Sequence, residues 1–186
     1  DRAGCVDENG REINRNRLVA LAAIIALENN KGGTVVTDSV TSDGLREFIE
    51  EYLGGKHIRF KRGYKNVIDE AIRRTELGEN VPLAIETSGH AAFKENYYLD
   101  DGAYLITKII IELAKLNKEG KSIESLIENL KTPLEEKEVR FTIKLDDFRD
   151  YGLSVIEDFK KLCENTNGIT VAPINHEGVR VNFNEN

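Results

Sequence analysis

The sequence predicts an α/β domain followed by a partial α+β domain. Three observations carry this. Short β-branched or apolar runs at residues 34–37, 57–60 and 83–86 alternate with longer segments of helical spacing, as strands separated by helices do. Thr132 and Pro133 then interrupt the alternation. Beyond them the order becomes strand, helix, strand, strand, and residues 139–145 alternate apolar and polar at period two, the pattern of a half-exposed antiparallel strand. The boundary is placed near Lys131, giving units 1–131 and 132–186.

The elements follow in chain order. Residues 3–6 are small and apolar, as in a buried strand, and Asp7-Glu8-Asn9-Gly10 is a turn. Residues 13–27 are dense in Leu, Ala and Ile at helical spacing and read as a buried helix that stops at Gly32 and Gly33. The 34–37 run is a core strand. Ser42 caps a helix over 43–52, closed by Gly54 and Gly55. A strand over 57–60 leads into the basic loop Lys61-Arg62-Gly63-Tyr64-Lys65, and a helix spans 66–75. The 83–86 strand runs directly into Thr87-Ser88-Gly89-His90. Helices are expected over 102–116 and, behind Ser122, over 122–130. In the second unit a helix over 151–163 follows the 139–145 strand, and two strands, 169–172 and 179–183, flank a turn at residues 176–178.

Composition limits the function classes. A chain of 186 residues, 40% hydrophobic, can bury a core; ~70% of the unfolded surface disappears at this size. No apolar run approaches the ~20 residues of a membrane helix, and nothing resembles a signal peptide. The net charge of -7 argues against a nucleic-acid surface. It also requires that an anionic ligand be met by a local basic pocket. Cys5 and Cys163 are far apart with no CxxC, so neither a disulfide framework nor a zinc site is expected and a reducing cytoplasm is. A chain that opens Asp1-Arg2 and holds no methionine reads as a segment of a longer protein.

Two loops stand where an open α/β sheet binds ligands, at the carboxyl ends of strands. Glu86, Thr87, Ser88, Gly89 and His90 place a carboxylate, two hydroxyls and an imidazole within one turn. Such a set can accept from and donate to several sugar hydroxyls at once, and the glycine permits close approach or positive φ. The bland alternative is an ordinary polar connection. The loop ending in Gly63, Tyr64 and Lys65 offers cations and a helix start to a phosphate; a solvated basic loop is its alternative. Asp100 and Asp101 precede a helix and suit its positive end, while Lys94 is placed facing the 86–90 loop. His57 and His176 have no second ligand at metal-binding spacing and read as structural or exposed.

Taken together and in order, these segments resemble the α-D-phosphohexomutase family, the phosphoglucomutases and phosphomannomutases. Asp1-Arg2 resembles the end of the family's metal loop, Asp-Gly-Asp-x-Asp-Arg. Gly63-Tyr64-Lys65 resembles its Gly-x-Lys substrate loop. Glu86 to His90 resembles its Glu-x-Ser-Gly-His sugar loop, and Phe93-Lys94-Glu95 with Asp101-Gly102 is similar to what trails that loop in dual-specificity members.

The resemblance implies a third domain, a three-layer mixed-sheet α/β domain with helices on both faces, and an incomplete fourth domain of α+β type. Gly178-Val179-Arg180-Val181 resembles a strand near the start of that last domain. Hexose 1-phosphate and hexose 6-phosphate of glucose or mannose are the implied substrates. Their interconversion would run through a phosphoserine, Mg²⁺ and a bisphosphate intermediate, with glucose 1,6-bisphosphate as activator. Arg2 would be catalytic and Asp1 one of three metal aspartates. Gly63, Lys65, Glu86, Ser88, Gly89, His90 and Lys94 would bind substrate. The phosphoserine loop, two metal aspartates and the final phosphate loop have no counterpart in this sequence, so the chain by itself is expected to be inactive. The neighbouring readings are a phosphoglucosamine mutase and a non-catalytic sugar-phosphate-binding module. A cytoplasmic monomer or dimer is expected, with pairing through the incomplete second sheet, whose edge and apolar face would be exposed.

Overall fold

Four strands build the sheet on which the site stands: β3 (Thr34–Asp38), β4 (Lys56–Phe60), β5 (Leu83–Ile85) and β6 (Ala91–Phe93). They lie in the order β4-β3-β5-β6, with β3 parallel to both β4 and β5 and β6 antiparallel to β5. This computed structural model describes residues 1–183, which fall into two compact units divided after Leu134. The division lies three residues beyond the expected Lys131.

The central strand β3 reads Thr-Val-Val-Thr-Asp and is buried throughout, as a parallel strand covered on both faces must be. Period two divides the sheet's side chains. Val35, Leu83, Ile85, Ala91 and Phe93 join the core formed with α1 (Asn16–Glu28) and α4 (Gly102–Lys118). Val36, Ala84 and Ala92 join Val67 and Ala71 of α3 (Tyr64–Glu76) in a second cluster. Helices therefore cover both faces of a mixed sheet, in three layers. α1 carries apolar residues on nearly every side, and nine of its residues are buried, which identifies it as an interior helix.

Local chemistry explains several boundaries. Ser42 accepts from the Leu45 N–H at 3.1 Å and starts α2 (Asp43–Glu47), which continues as a π-helical turn (Phe48–Tyr52). Asp101 accepts from the Tyr104 N–H at 2.9 Å and starts α4. That bond holds the Asp101 carboxyl below its ordinary range.

The structure corrects several sequence expectations. Ile13 is not helical: β1 (Cys5–Val6) and β2 (Glu12–Ile13) form an antiparallel pair in which Ile13 faces Cys5. Apolar character alone could not separate it from the helix that follows. α3 begins at Tyr64, so Lys65 lies in a helix turn rather than in the basic loop. The segment behind Ser122 forms only a 3-10 turn (Ile123–Leu126), anchored by burial of Ile123, Ile127 and Leu130. β6 was not expected; Ala91 and Ala92 have little strand preference.

In the second unit α5 (Phe148–Glu164) packs on β7 (Ile169–Val171), which pairs antiparallel with β8 (Val181–Phe183). β8 starts two residues later than expected. Residues 139–145 form no strand. Their alternation is real, but β7 and β8 pair with each other, and an extended segment without ladder bonds does not offset its ordering cost. Phe148, Tyr151, Leu153 and Leu162 of α5 are exposed, and Cys163 is buried. No helix among the described residues is long and apolar enough to cross a membrane.

Candidate functional site

The carboxyl ends of β3, β4 and β5 lie at one edge of the sheet, and the 86–90 segment stands there as the turn of the β5–β6 hairpin. Two backbone bonds close it. The Glu86 N–H donates to the His90 carbonyl at 2.9 Å, and the Gly89 N–H donates to the Glu86 carbonyl at 3.0 Å. Gly89 has φ +93°, and a Cβ on it would meet the Ala3 carbonyl oxygen at 2.2 Å. The Ala3 N–H in turn donates to the Gly89 carbonyl at 2.9 Å. Glycine is therefore required here by conformation and by close approach.

Glu86 joins the two candidate loops. One carboxylate oxygen accepts the Gly63 N–H at 2.6 Å and the other accepts the Ser88 hydroxyl at 3.0 Å. Glu86 is buried, whereas Ser88 is exposed, so the serine hydroxyl is the part of this pair that meets solvent. Gly63, at φ +105°, immediately precedes α3. Lys65 follows in its first turn with an exposed side chain, and no hydrogen bond or ion pair of its ammonium is recorded among the described residues.

His90 is held from three sides. Arg2 Nε donates to Nε2 at 2.9 Å, and Nδ1 lies 2.7 Å from Asp100 Oδ2. A guanidinium can only donate, so Nε2 accepts and the ring hydrogen sits on Nδ1, donated to Asp100. The Tyr64 ring stacks on the imidazole with centroids 4.8 Å apart. Arg2 and His90 also form an isolated antiparallel bridge. A Cβ on Gly102 would come within 2.6 Å of the Arg2 carbonyl oxygen, so a bare backbone at the α4 entry admits the Asp1-Arg2 segment. A cavity of about 520 Å³ borders the same turn, lined by Thr87, Ser88 and Gly89 together with Ala3, Asn14 and Arg15.

Asp1, His90 and Asp100 bring potential ligand atoms within 4.8 Å of one another. The donor set does not suit Mg²⁺, which takes six oxygens in near-octahedral geometry. Both imidazole nitrogens are engaged, one of them by a cation. Two carboxylates, Asp1 and Asp100, remain toward a metal, fewer oxygens than Mg²⁺ requires.

Gly63, Lys65, Glu86, Ser88, Gly89 and His90 are therefore brought to one edge of the sheet, with Arg2 and Asp1 against them. Lys94 is not. β6 runs antiparallel to β5 and carries the chain away from the turn, and the Lys94 N–H donates to the Pro82 carbonyl at 3.0 Å, just before β5 begins. Lys94 lies with Asn30, Asn80 and Lys108 around a separate cavity of about 450 Å³. Proximity in sequence misplaced it because the unexpected strand β6 intervenes.

Sequence reading also missed Asp38, Tyr64 and Asp100 as site-forming residues. The Asp100-Asp101 pair carried a partial signal. Both were read as serving the helix entry, but only Asp101 caps it, and Asp100 turns to His90.

Comparison with known proteins bears on this geometry. A sequence model described as phosphoglucomutase/phosphomannomutase, alpha/beta/alpha domain III, matches residues 14–133. The phosphomannomutase/phosphoglucomutase of Pseudomonas syringae pv. tomato is 30% identical over 162 residues, covering 87% of this chain and 32% of the relative. The phosphoglucomutase/phosphomannomutase of Thermococcus kodakarensis is 35% identical over 130 residues, 70% of this chain and 26% of the relative. A crystal structure of a phosphoglucomutase/phosphomannomutase family protein from Burkholderia thailandensis superposes with a TM-score of 0.76 at 25% identity, covering 98% of this chain and 35% of that one. The chain thus spans about a third of the length of these proteins or less.

Proposed function

The chain belongs to the phosphoglucomutase/phosphomannomutase family, and from that premise we propose that it supplies the sugar-recognition wall of a mutase interconverting hexose 1-phosphate and hexose 6-phosphate. The second unit is the beginning of a fourth domain in this reading. The nucleophile is a phosphoserine outside these 186 residues. It gives its phosphoryl group to the free hydroxyl of a hexose monophosphate, producing a bisphosphate and a free serine. The bisphosphate turns over, and its other phosphoryl group returns to the serine. Glucose 1,6-bisphosphate activates by entering at that intermediate.

This chain's residues bind and orient. Ser88, oriented by the buried Glu86 carboxylate, receives a sugar hydroxyl, and Lys65 meets a phosphate oxygen as a point charge. His90, with its hydrogen on Nδ1, presents Nε2 beside Arg2, where the guanidinium can stabilise charge on the transferring group. Asp1 would be one carboxylate of a Mg²⁺ site, and the metal would stabilise charge on the transferring phosphoryl group. An acidic chain thereby keeps its cations local, where a dianionic substrate needs them. A cytoplasmic setting and a monomer or dimer complete the proposal.

The observation that carries the reading is the joining of the two loops. Glu86, Ser88 and His90 stand on one hairpin turn, tied through Glu86 to Gly63 beside Lys65. The test is a coupled assay of the complete enzyme on glucose, mannose and glucosamine 1-phosphates. Turnover of the glucose or mannose ester is expected. Turnover of glucosamine 1-phosphate alone would move the assignment to that sugar, and turnover of none would remove it.

A further inference from the structure

We propose that Asp38 is a positioning residue for the sugar loop, acting through Thr87 to place Glu86, Ser88 and His90. The inference rests on the reading of the 86–90 turn as the hexose-binding wall. Asp38 ends the central strand β3 and is 1% exposed. Its Oδ2 accepts twice from one residue: the Thr87 N–H at 2.9 Å and the Thr87 hydroxyl at 2.6 Å. Its Oδ1 accepts the Val40 N–H at 3.3 Å.

Outside its own backbone bonds the turn is tied at Glu86 to Gly63, at Gly89 to Ala3 and at His90 to Arg2, and Thr87 adds the tie to the central strand. The two closing bonds of this turn, Glu86 to His90 and Gly89 to Glu86, lie within the hairpin. β5 is only three residues long, and the turn stands beyond its carboxyl end. The register pairs Thr37 with Ile85, so Asp38 stands beside Glu86 with Thr87 one step further on. A buried carboxylate from the neighbouring strand thus grips the residue between Glu86 and Ser88. Small misplacements of groups that orient a substrate have large kinetic effects, and a side chain sealed from solvent on the central strand is a rigid anchor.

Thr87→Val tests this in the complete enzyme, because it keeps the shape and the N–H and removes only the hydroxyl donor. We expect kcat/KM on glucose 1-phosphate to fall roughly tenfold, the scale of one hydrogen bond to a charged group. The loss should appear chiefly as a raised KM, since sugar contacts are made in the ground state as well. Thr87→Ser, which restores the hydroxyl, should recover most of the loss, and Asp38→Asn should resemble Thr87→Val. Unchanged kinetics in Thr87→Val, no recovery in Thr87→Ser, or a kcat loss that merely follows the folded fraction would each overturn the inference. Wild-type enzyme without turnover on any hexose phosphate would overturn the site reading itself, and this inference with it. If Asp38→Asn fails to fold, the Thr87 pair decides.

Discussion

Glu86, at the end of the third parallel strand, accepts a hydrogen bond from the Gly63 N–H at 2.6 Å, 23 residues earlier in the chain. The bond sets the spacing between the 86–90 turn and the helix start that carries Lys65. Its geometry distinguishes two substitutions. Glu86→Gln can keep a carbonyl on the Gly63 N–H and turn its amide toward the Ser88 oxygen, so a loss of about tenfold in kcat/KM is expected. Glu86→Ala strands the Gly63 N–H and frees Ser88, with an expected loss of roughly 100-fold or more. Steady-state kinetics of the complete enzyme check the order; equal losses would mean that the carboxylate acts only on the sugar.

His90→Ala removes a ring held by Arg2, Asp100 and Tyr64 at once. Arg2 then loses its anchor. We expect kcat/KM to drop, by less than in Glu86→Ala, because the hairpin closes through backbone atoms that alanine retains. Wild-type kinetics in both variants would take the loop out of the site.

Gly89→Ala and Gly102→Ala separate fold from site. At Gly89 a methyl group meets both a positive φ and the Ala3 carbonyl oxygen. Urea unfolding of this chain should show a loss of about 1–3 kcal/mol. Gly102 has no conformational need of glycine, but its Cβ would press on the Arg2 and Asp1 carbonyl oxygens. That variant should displace the first residues and release His90, visible as a shifted imidazole resonance, while the core of Val35 and Leu83 stays folded.

Glu70 provides a pH test away from the site. It is buried on α3, bonded to Arg73 at 2.7 Å and to Arg74 at 2.7 Å. The Arg73 bond, with that from Arg74, holds its carboxyl below the ordinary value of 4.5 despite burial. A group whose pKa is lower folded than unfolded contributes stability above its unfolded pKa and loses it as pH falls through the folded one. Denaturant unfolding at pH 7 and pH 3 should therefore show a smaller acid loss in Glu70→Gln than in wild type. Equal losses would assign the acid sensitivity to other carboxylates.

If this chain binds and orients while the phosphoryl donor lies elsewhere, as proposed, the purified chain should show no hexose-phosphate turnover in a coupled assay. Turnover by the purified chain would place a nucleophile among its own residues.

The alternation of apolar runs with helical spacing determined the α/β class, the strands β3 to β5 and the long helices, because a strand covered on both faces reads as a short apolar run and a half-buried helix imposes a period of 3.6. The residues of the candidate loops were picked out by their place after a core strand, where a carboxylate, hydroxyls and an imidazole gather within one turn. Partners across the chain were not legible. Asp38 lies 49 residues from Thr87, and Arg2 lies 88 residues from His90, with no local pattern to announce either contact. β6 escaped because Ala91 and Ala92 have little strand preference and no turn residue follows Phe93 to close the run, and Lys94 was misplaced with it. Only the tertiary structure decided which side chains share the site, because strand direction and register, set by packing against distant elements, determine which end of the sheet each loop occupies.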